Sequence, residues 1–353
     1  MNREEEIFAQ ALALPPGERT AYLDRVCADD PALRTRLDEL LTAHEESASF
    51  MAGSLADRLN PTPEEKPGDR IGRYTLVRKL GEGGCGVVYL AEQTEPVRRS
   101  VALKIVKLGM STREVIARFE AERQALAVMD HPGIAHVYDA GATELGRPYF
   151  AMEYVAGEPI TRYCDTKQLP TAARLELFAE VCLALQHAHQ KGIVHRDVKP
   201  TNILVAEQNG RPAPKIIDFG IAKATQGRLT DATRLTALDQ FIGTPAYMSP
   251  EQADLRLTDI DTRSDIYSLG VLLYELLTGH PPFDPKTLVA AGVAEIRRII
   301  REVDPPRPST ALSTLGQAER TTVAQRRAAA PQRLTSALRG DLDWIVMRCL
   351  EKD

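Results

Sequence analysis

Cysteines are few in this chain of 353 residues, and their spacing excludes two classes of protein. The five cysteines are Cys27, Cys85, Cys164, Cys182 and Cys349. They are scattered along the chain, and no two of them form a CxxC pair. Zinc-binding modules and disulfide-rich secreted domains both need closely spaced, paired cysteines. The pattern instead favours free thiols in a reducing compartment.

Long apolar runs are also missing from the sequence. No run approaches the roughly 20 apolar residues that a transmembrane helix needs. The chain starts with MNREEEIFAQ, which is acidic and does not have the basic and then apolar pattern of a signal peptide. We therefore expect a cytoplasmic protein with no membrane segment in this chain. A membrane tether would require sequence beyond residue 353.

The chain has no excess of basic residues. Its formal net charge is −5 and its pI is about 5.9. A general nucleic-acid binder needs a basic face, so we expect no nucleic-acid partner. The rest of the composition, 43% hydrophobic and 26% charged, is typical of a globular protein that is long enough for more than one domain.

The apolar pattern divides the chain into three parts. Residues 1–46 contain short amphipathic segments and predict a helical N-terminal preface, with one helix beginning at Asp30. Residues 47–69 are rich in Ser, Ala, Pro and Glu and predict a linker. Residues 70–353 predict one large domain.

The large domain changes from strand-like to helical patterns along its length. Five segments predict strands: TLVRKL, GVVYLAE, SVALKIV, IAHVYDAG and PYFAMEYV. Helical patterns occupy residues 112–129, 171–190, 264–278 and 287–301. Residues 303–340 have no clear periodicity and predict a loop. The expected fold class is α+β, with a small five-stranded β lobe carrying one main helix over residues 70–155 and a larger, mostly α-helical lobe over residues 156–353.

A glycine-rich segment lies between the first two strand candidates. It consists of Gly81, Glu82, Gly83, Gly84, Cys85 and Gly86. Its GxGxxG pattern lets the backbone approach phosphate groups closely, and Val88 can cover an adenine ring. A Rossmann turn or a plain hairpin has the same letters, although a Rossmann turn should open into a helix and VVYLAE continues as a strand. This motif alone leaves the function open.

The third strand candidate carries a lysine, Lys104, after Val101, Ala102 and Leu103. Such a lysine is usually an edge residue, but beside a glycine-rich loop it can reach the α- and β-phosphates of a nucleotide. Glu122 on the next predicted helix could pair with Lys104 and hold it in place. Because lysine and glutamate are common on surfaces, this pair adds little by itself.

Two short polar segments carry the strongest chemical signal. They are His195-Arg196-Asp197-Val198-Lys199-Pro200-Thr201-Asn202 and Asp218-Phe219-Gly220. Phosphoryl transfer needs positioning and charge neutralisation more than covalent chemistry. Asp197 can orient a substrate hydroxyl and accept its proton, and Lys199 can neutralise the transferred phosphate. Asn202 and Asp218 offer the oxygen ligands that Mg²⁺ prefers.

With these motifs in this order, residues 70–352 resemble the eukaryotic-like serine/threonine protein kinases of bacteria. The resemblance implies a two-lobed protein kinase-like fold that uses ATP and a divalent cation, either Mg²⁺ or Mn²⁺. The catalytic residues that it implies are Lys104, Glu122, Asp197, Lys199 and Asn202. The metal ligands that it implies are Asn202 and Asp218.

The resemblance also assigns the nucleotide site. Met152 is similar to the gatekeeper and the next three residues to the hinge, where backbone groups of Glu153 and Val155 would bind the base. The expected adenine contacts are Val88, Ala102, Met152, Glu153, Val155 and Leu204. The glycine-rich segment, Lys104 and Asp218 would hold the phosphates.

Further residues indicate the substrate and a brace for the catalytic loop. Lys199, together with Gly243-Thr244, is the serine/threonine pattern, so the expected partners are protein substrates with Ser or Thr. GTPAYMSPE over residues 243–251 resembles the substrate-binding segment, with SPE where the family usually has APE. This segment disfavours small-molecule phosphotransfer. Asp265 resembles the aspartate that braces the catalytic loop.

Arg196 directly precedes the proposed catalytic aspartate, and in such kinases this arginine often binds a phosphorylated activation segment. Thr230, Thr233 and Thr236 are candidate autophosphorylation sites, or ordinary surface threonines. A pseudokinase or scaffold module of the same fold is the alternative function. It is disfavoured because the lysine, the two aspartates and the asparagine of the motifs are all present.

Both ends of the chain raise expectations of their own. Residues 1–46 are similar to a short helical preface before some bacterial kinase domains. Their apolar helix faces suggest docking or dimerisation, or packing on the kinase domain. In the family, an arginine beyond residue 353 commonly pairs with the glutamate matching Glu251. We therefore expect a fragment of a longer protein with its last helix missing.

Overall fold

The computed structural model describes most of the chain in separate stretches. The described residues are 7, 11, 16–27, 30, 33–34, 36–37, 65–83, 86–106, 129–219, 245–254 and 260–352. The chain forms two compact units, Met1–Glu65 and Lys66–Asp353. The predicted boundaries of the preface and the linker stay predictions.

The first unit contains helix α1, Pro16–Val26, and a small apolar cluster. The buried side chains of this cluster are Ile7, Ala11, Leu23, Cys27, Leu33 and Leu37. Asp30 accepts a hydrogen bond from the backbone N–H of Leu33 at 3.0 Å. A carboxylate that satisfies an exposed N–H three residues later acts as a helix N-cap, which confirms the predicted helix start.

The second unit begins with an antiparallel sheet whose strands follow the predicted segments. The strands are β1 Arg70–Ile71, β2 Tyr74–Gly83, β3 Gly86–Gln93, β4 Arg99–Val106, β5 Val137–Ala142 and β6 Pro148–Glu153, in the order β1-β2-β3-β4-β6-β5. The five predicted strands are confirmed. The short edge strand β1 was not predicted, because two residues cannot show an alternating pattern.

Alternation along β4 assigns its side chains to two different cores. Val101, Leu103 and Ile105 are buried in a cluster on one face of the sheet. Ala102 belongs to a second cluster that continues into the helical lobe and includes Phe219. Because side chains alternate along a strand, Lys104 lies on the same face as Ala102. The lysine therefore faces the helical lobe.

The rest of the second unit is mainly helical, apart from a three-stranded sheet of β7 Glu158–Pro159, β8 Ile203–Gln208 and β9 Arg211–Ile216. The helices are α2 Ile160–Thr166, α3 Thr171–Gln190, α4 Pro250–Ala253, α5 Thr262–Thr278, α6 Pro285–Ala291, α7 Val293–Glu302, α8 Pro308–Thr314, α9 Gln317–Gln325, α10 Pro331–Leu338 and α11 Asp341–Cys349. The predicted α+β class with a strand-rich and a helical lobe is confirmed.

Individual helix predictions had different outcomes. The helices predicted over residues 171–190 and 264–278 are confirmed as α3 and α5. The run predicted over 287–301 is two helices, α6 and α7, separated at Gly292 with a φ of 82°. Glycine adopts this left-handed conformation without steric cost, so the chain turns there. The helix predicted over 112–129 lies, except for residue 129, outside the described part of the chain.

The prediction of a loop over residues 303–340 is wrong, because α8, α9 and α10 lie in this stretch. Each helix has only seven to nine residues and buries two or three side chains, such as Leu312 and Leu334. So few buried positions per helix give no visible periodicity. The helices α8 and α10 have proline at their first turn, which suits a helix start.

Two arginines lie almost completely buried beneath the helices of this lobe. Arg174 and Arg327 are each 1% exposed. Arg174 donates to the carbonyl oxygens of Leu169 at 2.9 Å and Cys164 at 3.0 Å, and Arg327 donates to Leu276 O at 2.8 Å. The guanidinium groups thus satisfy carbonyls in the last turns of α2 and α5 and in the segment that follows α2. Their role was not predicted from the sequence.

Glu275, beside Arg327, provides a test of this buried polar region. Burial, together with the charge of Asp165, raises the pKa of Glu275 to about 7. Its Oε2 atom finds no hydrogen-bond partner among the described residues. A carboxyl that titrates near 4.5 when unfolded and near 7 when folded costs stability as the pH rises through this window.

We expect Glu275→Gln to remove this cost. The free energy of unfolding of the variant should exceed that of the wild type by an amount that grows between pH 4.5 and pH 7 to about 3 kcal/mol. Urea unfolding at several pH values measures this difference. Glu180→Gln, an exposed glutamate on α3, is the matched control and should show no such growth. A constant difference between wild type and Glu275→Gln across this range would contradict the prediction.

Within the described ranges, no helix is both long enough and apolar enough to cross a bilayer.

Candidate active site

The loop between α3 and β8 carries the predicted catalytic residues, and Asp265 on α5 holds it. Asp265 is completely buried. Its two carboxylate oxygens accept hydrogen bonds from the backbone N–H groups of His195 and Arg196, both at 2.8 Å. His189 on α3 lies 2.8 Å from the same carboxylate through its Nε2 atom. Asp265 therefore fixes the loop backbone, as the sequence predicted for this residue.

The His195 side chain joins the loop to the segment that carries Asp218. It is fully buried, and its Nε2 atom lies 3.2 Å from the carbonyl oxygen of Ile217. Its Nδ1 atom accepts a hydrogen bond from the backbone N–H of Asp197 at 3.2 Å. Burial lowers the pKa of His195, which favours the neutral ring with the proton on Nε2. The ring also packs against Phe219, with 4.6 Å between centroids.

Asp197, Lys199 and Asn202 lie in direct contact. Lys199 Nζ is 2.8 Å from Asp197 Oδ2. Asn202 Nδ2 donates to the same oxygen at 3.0 Å and to the backbone oxygen of Asp197 at 2.8 Å. The Asp197 side chain is 21% exposed, so its carboxylate is held in place and still reachable from solvent. This arrangement suits a base that aligns a hydroxyl group.

Asp218 lies against Lys104, the lysine of strand β4. Lys104 Nζ and Asp218 Oδ1 form an ion pair. Asp218 has a φ of 58°, and Arg196 has a φ of 64°. Non-glycine residues seldom adopt this left-handed region, and residues that do so often lie at functional sites. The contact joins the strand-rich lobe to the helical lobe at the predicted site.

The donor set is suited to a divalent cation. The backbone N–H of Ile217 donates to Asn202 O at 2.8 Å, which keeps Asn202 beside the Asp218 segment. Because the Asn202 amide nitrogen is engaged by Asp197, its side-chain oxygen is the group left to bind a cation. An amide oxygen and a carboxylate fit Mg²⁺ or Mn²⁺ better than zinc.

The glycine-rich segment is a β hairpin and not a Rossmann turn, because β3 continues directly from Gly86. A Cβ atom at Gly86 would lie 2.2 Å from the carbonyl oxygen of Ile105, so only glycine fits there. At Gly81 and Gly83 an added Cβ would meet no described atom within 4 Å. The glycines there are not required by packing, which is consistent with close approach by a ligand. Gly84 and Cys85 lie outside the described residues.

The predicted adenine contacts gather around the junction of the two lobes. Ala102 pairs with Met152 across β4 and β6, and Val88 pairs with Lys104 across β3 and β4. Ala102 and Met152 are buried in the cluster that spans both lobes, and Val88 packs against it. Leu204 on β8 pairs with Pro159, just after the predicted hinge. The strands thus bring these residues to one region.

Several predicted residues lie outside the described part of the chain. They are Gly84, Cys85, Glu122, Gly220, Thr230, Thr233, Thr236, Gly243 and Thr244. The predicted pairing of Glu122 with Lys104 and the phosphorylation of the three threonines therefore stay predictions.

The SPE sequence forms a helix cap, which the sequence reasoning did not recognise. Ser249 is fully buried and caps α4, accepting from Gln252 N at 3.4 Å while its own N–H donates to Gln252 Oε1 at 3.1 Å. Gln252 Nε2 also donates to the Arg196 carbonyl at 2.7 Å. Glu251 accepts a hydrogen bond from the Ser264 hydroxyl. The Ser-x-x-Gln spacing is a capping-box signal that could have predicted the start of α4, whereas the contact of Gln252 with the catalytic loop has no signal in the sequence.

Comparison with known proteins gives a consistent result. A family model described as the protein kinase domain matches residues 74–345. The chain is 39% identical over 269 residues to the serine/threonine-protein kinase Pkn1 of Myxococcus xanthus, and 40% identical over 242 residues to the serine/threonine-protein kinase PknB of Mycobacterium leprae. These alignments cover 74% and 67% of this chain, but only 37% and 36% of the relatives.

A solved structure shows the same fold. The kinase domain of PknI from Mycobacterium tuberculosis superposes with a TM-score of 0.53 and 27% sequence identity. The match covers 81% of this chain and 98% of that domain. The predicted two-lobed architecture is therefore confirmed, whereas the chain spans little more than a third of the length of the curated relatives that it matches.

Proposed function

This chain belongs to the protein kinase domain family, and from that premise we propose that it transfers the γ-phosphoryl group of ATP to serine and threonine hydroxyls of proteins. One observation carries the proposal. Asp197 contacts Lys199 at 2.8 Å and Asn202 at 3.0 Å on a braced loop, next to the Asp218 segment that pairs with Lys104. The relatives named serine/threonine kinases support the same reaction and substrate class.

Each residue of the site would act through its position. Asp197 would align the substrate hydroxyl and accept its proton, while Lys199 would offset the negative charge of the transferred group. Lys104 would anchor the α- and β-phosphates beneath the hairpin of β2 and β3, with Glu122 as its expected partner. The hinge after Met152 would bind adenine through the backbone groups of Glu153 and Val155.

Asn202 and Asp218 would hold the divalent cation, which we propose to be Mg²⁺, with Mn²⁺ as a substitute. The cation supplies neutralisation of phosphate charge when it is bound. Both residues offer hard oxygen donors, and Lys104 beside Asp218 keeps a second positive charge near the phosphates. The choice of Mg²⁺ rests on this oxygen chemistry.

The experiment that tests the function is incorporation of labelled γ-phosphate by the full chain with Mg²⁺ and a generic basic protein as acceptor. We expect label on serine and threonine after phosphoamino-acid analysis, and no label on tyrosine. Omission of the divalent cation should abolish the signal. A chain that binds ATP without transferring phosphate would instead be a pseudokinase or scaffold, although the presence of Lys104, Asp197, Asn202 and Asp218 disfavours that function.

We also propose autophosphorylation on the segment that holds Thr230, Thr233 and Thr236. Arg196, whose backbone carbonyl is held by Gln252, would be the cation that binds the new phosphate. Phosphopeptide mapping of the active chain should find at least one of these threonines modified, and the modification should not occur in a variant without activity. An active preparation with all three unmodified would remove the proposal.

Two finer expectations remain predictions. Docking or dimerisation through residues 1–46, or packing on the kinase domain, rests on the apolar helix faces in the sequence, and the described apolar side chains of this unit are buried in a small cluster of their own. A cytoplasmic location, and a membrane tether beyond residue 353, rest on the sequence alone. Neither is required for the proposed reaction.

A further inference from the structure

The end of strand β6 is held by an ion pair that the proposed reaction does not use. Lys215 on β9 places its Nζ atom 2.6 Å and 2.8 Å from the two carboxylate oxygens of Glu153. The two side chains are only 12% and 25% exposed. Glu153 is the first residue of the predicted hinge, directly after Met152.

The pair closes a ring of three chain segments around the hinge. The segments are β6, β9 and the stretch 133–136, which lies between the two strands. Ile216 N donates to Gly133 O at 2.8 Å, and Ala135 N donates to Ile216 O at 2.9 Å. Glu153 N donates to His136 O at 2.8 Å, and His136 N donates to Glu153 Oε2 at 3.3 Å. The hinge residue is therefore bonded through both its backbone and its side chain.

Lys215 is also paired with a residue that is expected to lie under the base. It is the direct cross-strand partner of Leu204 in the hairpin of β8 and β9. Directly opposed residues of an antiparallel pair have neighbouring side chains on one face of the ribbon. The ion pair thus connects the hinge with β9, the partner of the strand β8 that carries Leu204.

A second lysine–glutamate pair at the same hairpin shows what an ordinary surface pair looks like. Lys167 and Glu207 are 2.9 Å apart, and each side chain is 52% exposed. Such exposed pairs contribute little because water screens them. Lys215 and Glu153 are much better shielded, so removing either partner leaves a poorly solvated charge beside the hinge.

We propose that Lys215 is a positioning residue for the adenine base, because it holds Glu153 so that the hinge backbone is already arranged for nucleotide binding. This inference rests on the proposed function, since it gives Lys215 a task only if the hinge binds adenine. Lys215 contacts Glu153 and is not assigned to the phosphates. Its loss should therefore weaken binding of the base, whereas transfer at saturating ATP should change little.

The test compares two ligands that share the base and differ in the phosphates. Binding of adenosine and of a non-hydrolysable ATP analogue with Mg²⁺ is measured by calorimetry on the full chain. We expect Lys215→Met to raise both dissociation constants by about tenfold. Lys215→Arg, which can restore a two-point contact with the carboxylate, should remain within about threefold of wild type. Lys167→Met is the matched control and should bind both ligands as wild type does.

Two further variants separate positioning from general stability. Lys104→Met should weaken binding of the ATP analogue and leave adenosine binding unchanged, because Lys104 is assigned to the phosphates. Glu153→Gln should weaken binding of both ligands. The double variant with Lys215→Met should bind them little more weakly than either single variant, because both changes remove the same contact. Should Lys215→Met not fold, Glu153→Gln and Lys215→Arg provide the comparison.

The outcomes for this inference and for the proposed function are distinct. Unchanged adenosine affinity in Lys215→Met, with or without a lower melting temperature, overturns the positioning role and leaves the kinase function intact. Wild type that binds both ligands without transferring phosphate overturns the function, while the binding constants still decide the role of Lys215. Wild type that binds neither ligand overturns both. Weakened binding of both ligands, restored by arginine, supports the inference.

Discussion

Asp197→Asn is expected to lower kcat for phosphoryl transfer by about a thousandfold while the dissociation constant for ATP changes little. Asparagine has nearly the same shape as aspartate but cannot accept a proton. It also has no charge with which to hold Lys199, whose Nζ atom is 2.8 Å from Asp197 Oδ2. Neither property contributes to binding of the nucleotide, so the loss should appear only in the transfer step.

The measurement is single-turnover transfer of labelled phosphate at saturating ATP, together with ATP binding to the same preparation. Asp254→Asn is the matched control, because Asp254 is another little-exposed carboxylate in an ion pair, 3.3 Å from Arg301. It should keep most of the wild-type rate. If Asp197→Asn turned over at near the wild-type rate, the assignment of Asp197 as base would be wrong.

The residues of the site were predictable from the sequence because each motif is short and contiguous. Asp197, Lys199 and Asn202 lie within one loop, so their spacing alone brings them together. The strand containing Lys104 was equally visible, because SVALKIV is a short run rich in apolar and β-branched residues. Residues this close in sequence are also close in space, so a short motif predicts which side chains of the site meet.

Contacts between distant segments were not predictable in the same way. Lys215 and Glu153 are ordinary surface residue types, separated by the whole of α3 and the catalytic loop. Only the fold shows that they meet with 12% and 25% exposure. The buried Arg174 and Arg327 are similar, because their partners are mostly backbone carbonyls, which have no signature in a sequence.

The prediction of a loop over residues 303–340 was wrong for a different physical reason. Amphipathic periodicity needs several turns before it can be recognised, and helices α8, α9 and α10 have only two or three turns each. Local capping signals were more informative than periodicity there. Pro308 and Pro331 each lie at the first turn of a helix and could have indicated where α8 and α10 begin.

Asp218→Asn should have the second large effect, and its origin should differ from that of Asp197→Asn. We expect transfer at millimolar Mg²⁺ to fall by about a hundredfold to a thousandfold. The concentration of Mg²⁺ that gives half the maximal rate should rise by at least about tenfold, because the site keeps the amide oxygen of Asn202 and loses a carboxylate. Initial rates at fixed ATP, measured against free Mg²⁺ and then Mn²⁺, test this expectation.

The control for Asp218→Asn must share its environment, because Asp218 also forms an ion pair with Lys104. Asp139→Asn fits this need, since Asp139 pairs with Arg73 at 2.5 Å and its side chain is 29% exposed, against 27% for Asp218. It should change neither the rate nor the metal dependence.

Lys104→Met then separates the two tasks of Asp218, which are to pair with Lys104 and to bind the cation. If Asp218 served only to hold Lys104, both variants would lose activity with an unchanged metal dependence. If Asp218 binds the cation, the metal dependence should shift in Asp218→Asn and stay unchanged in Lys104→Met.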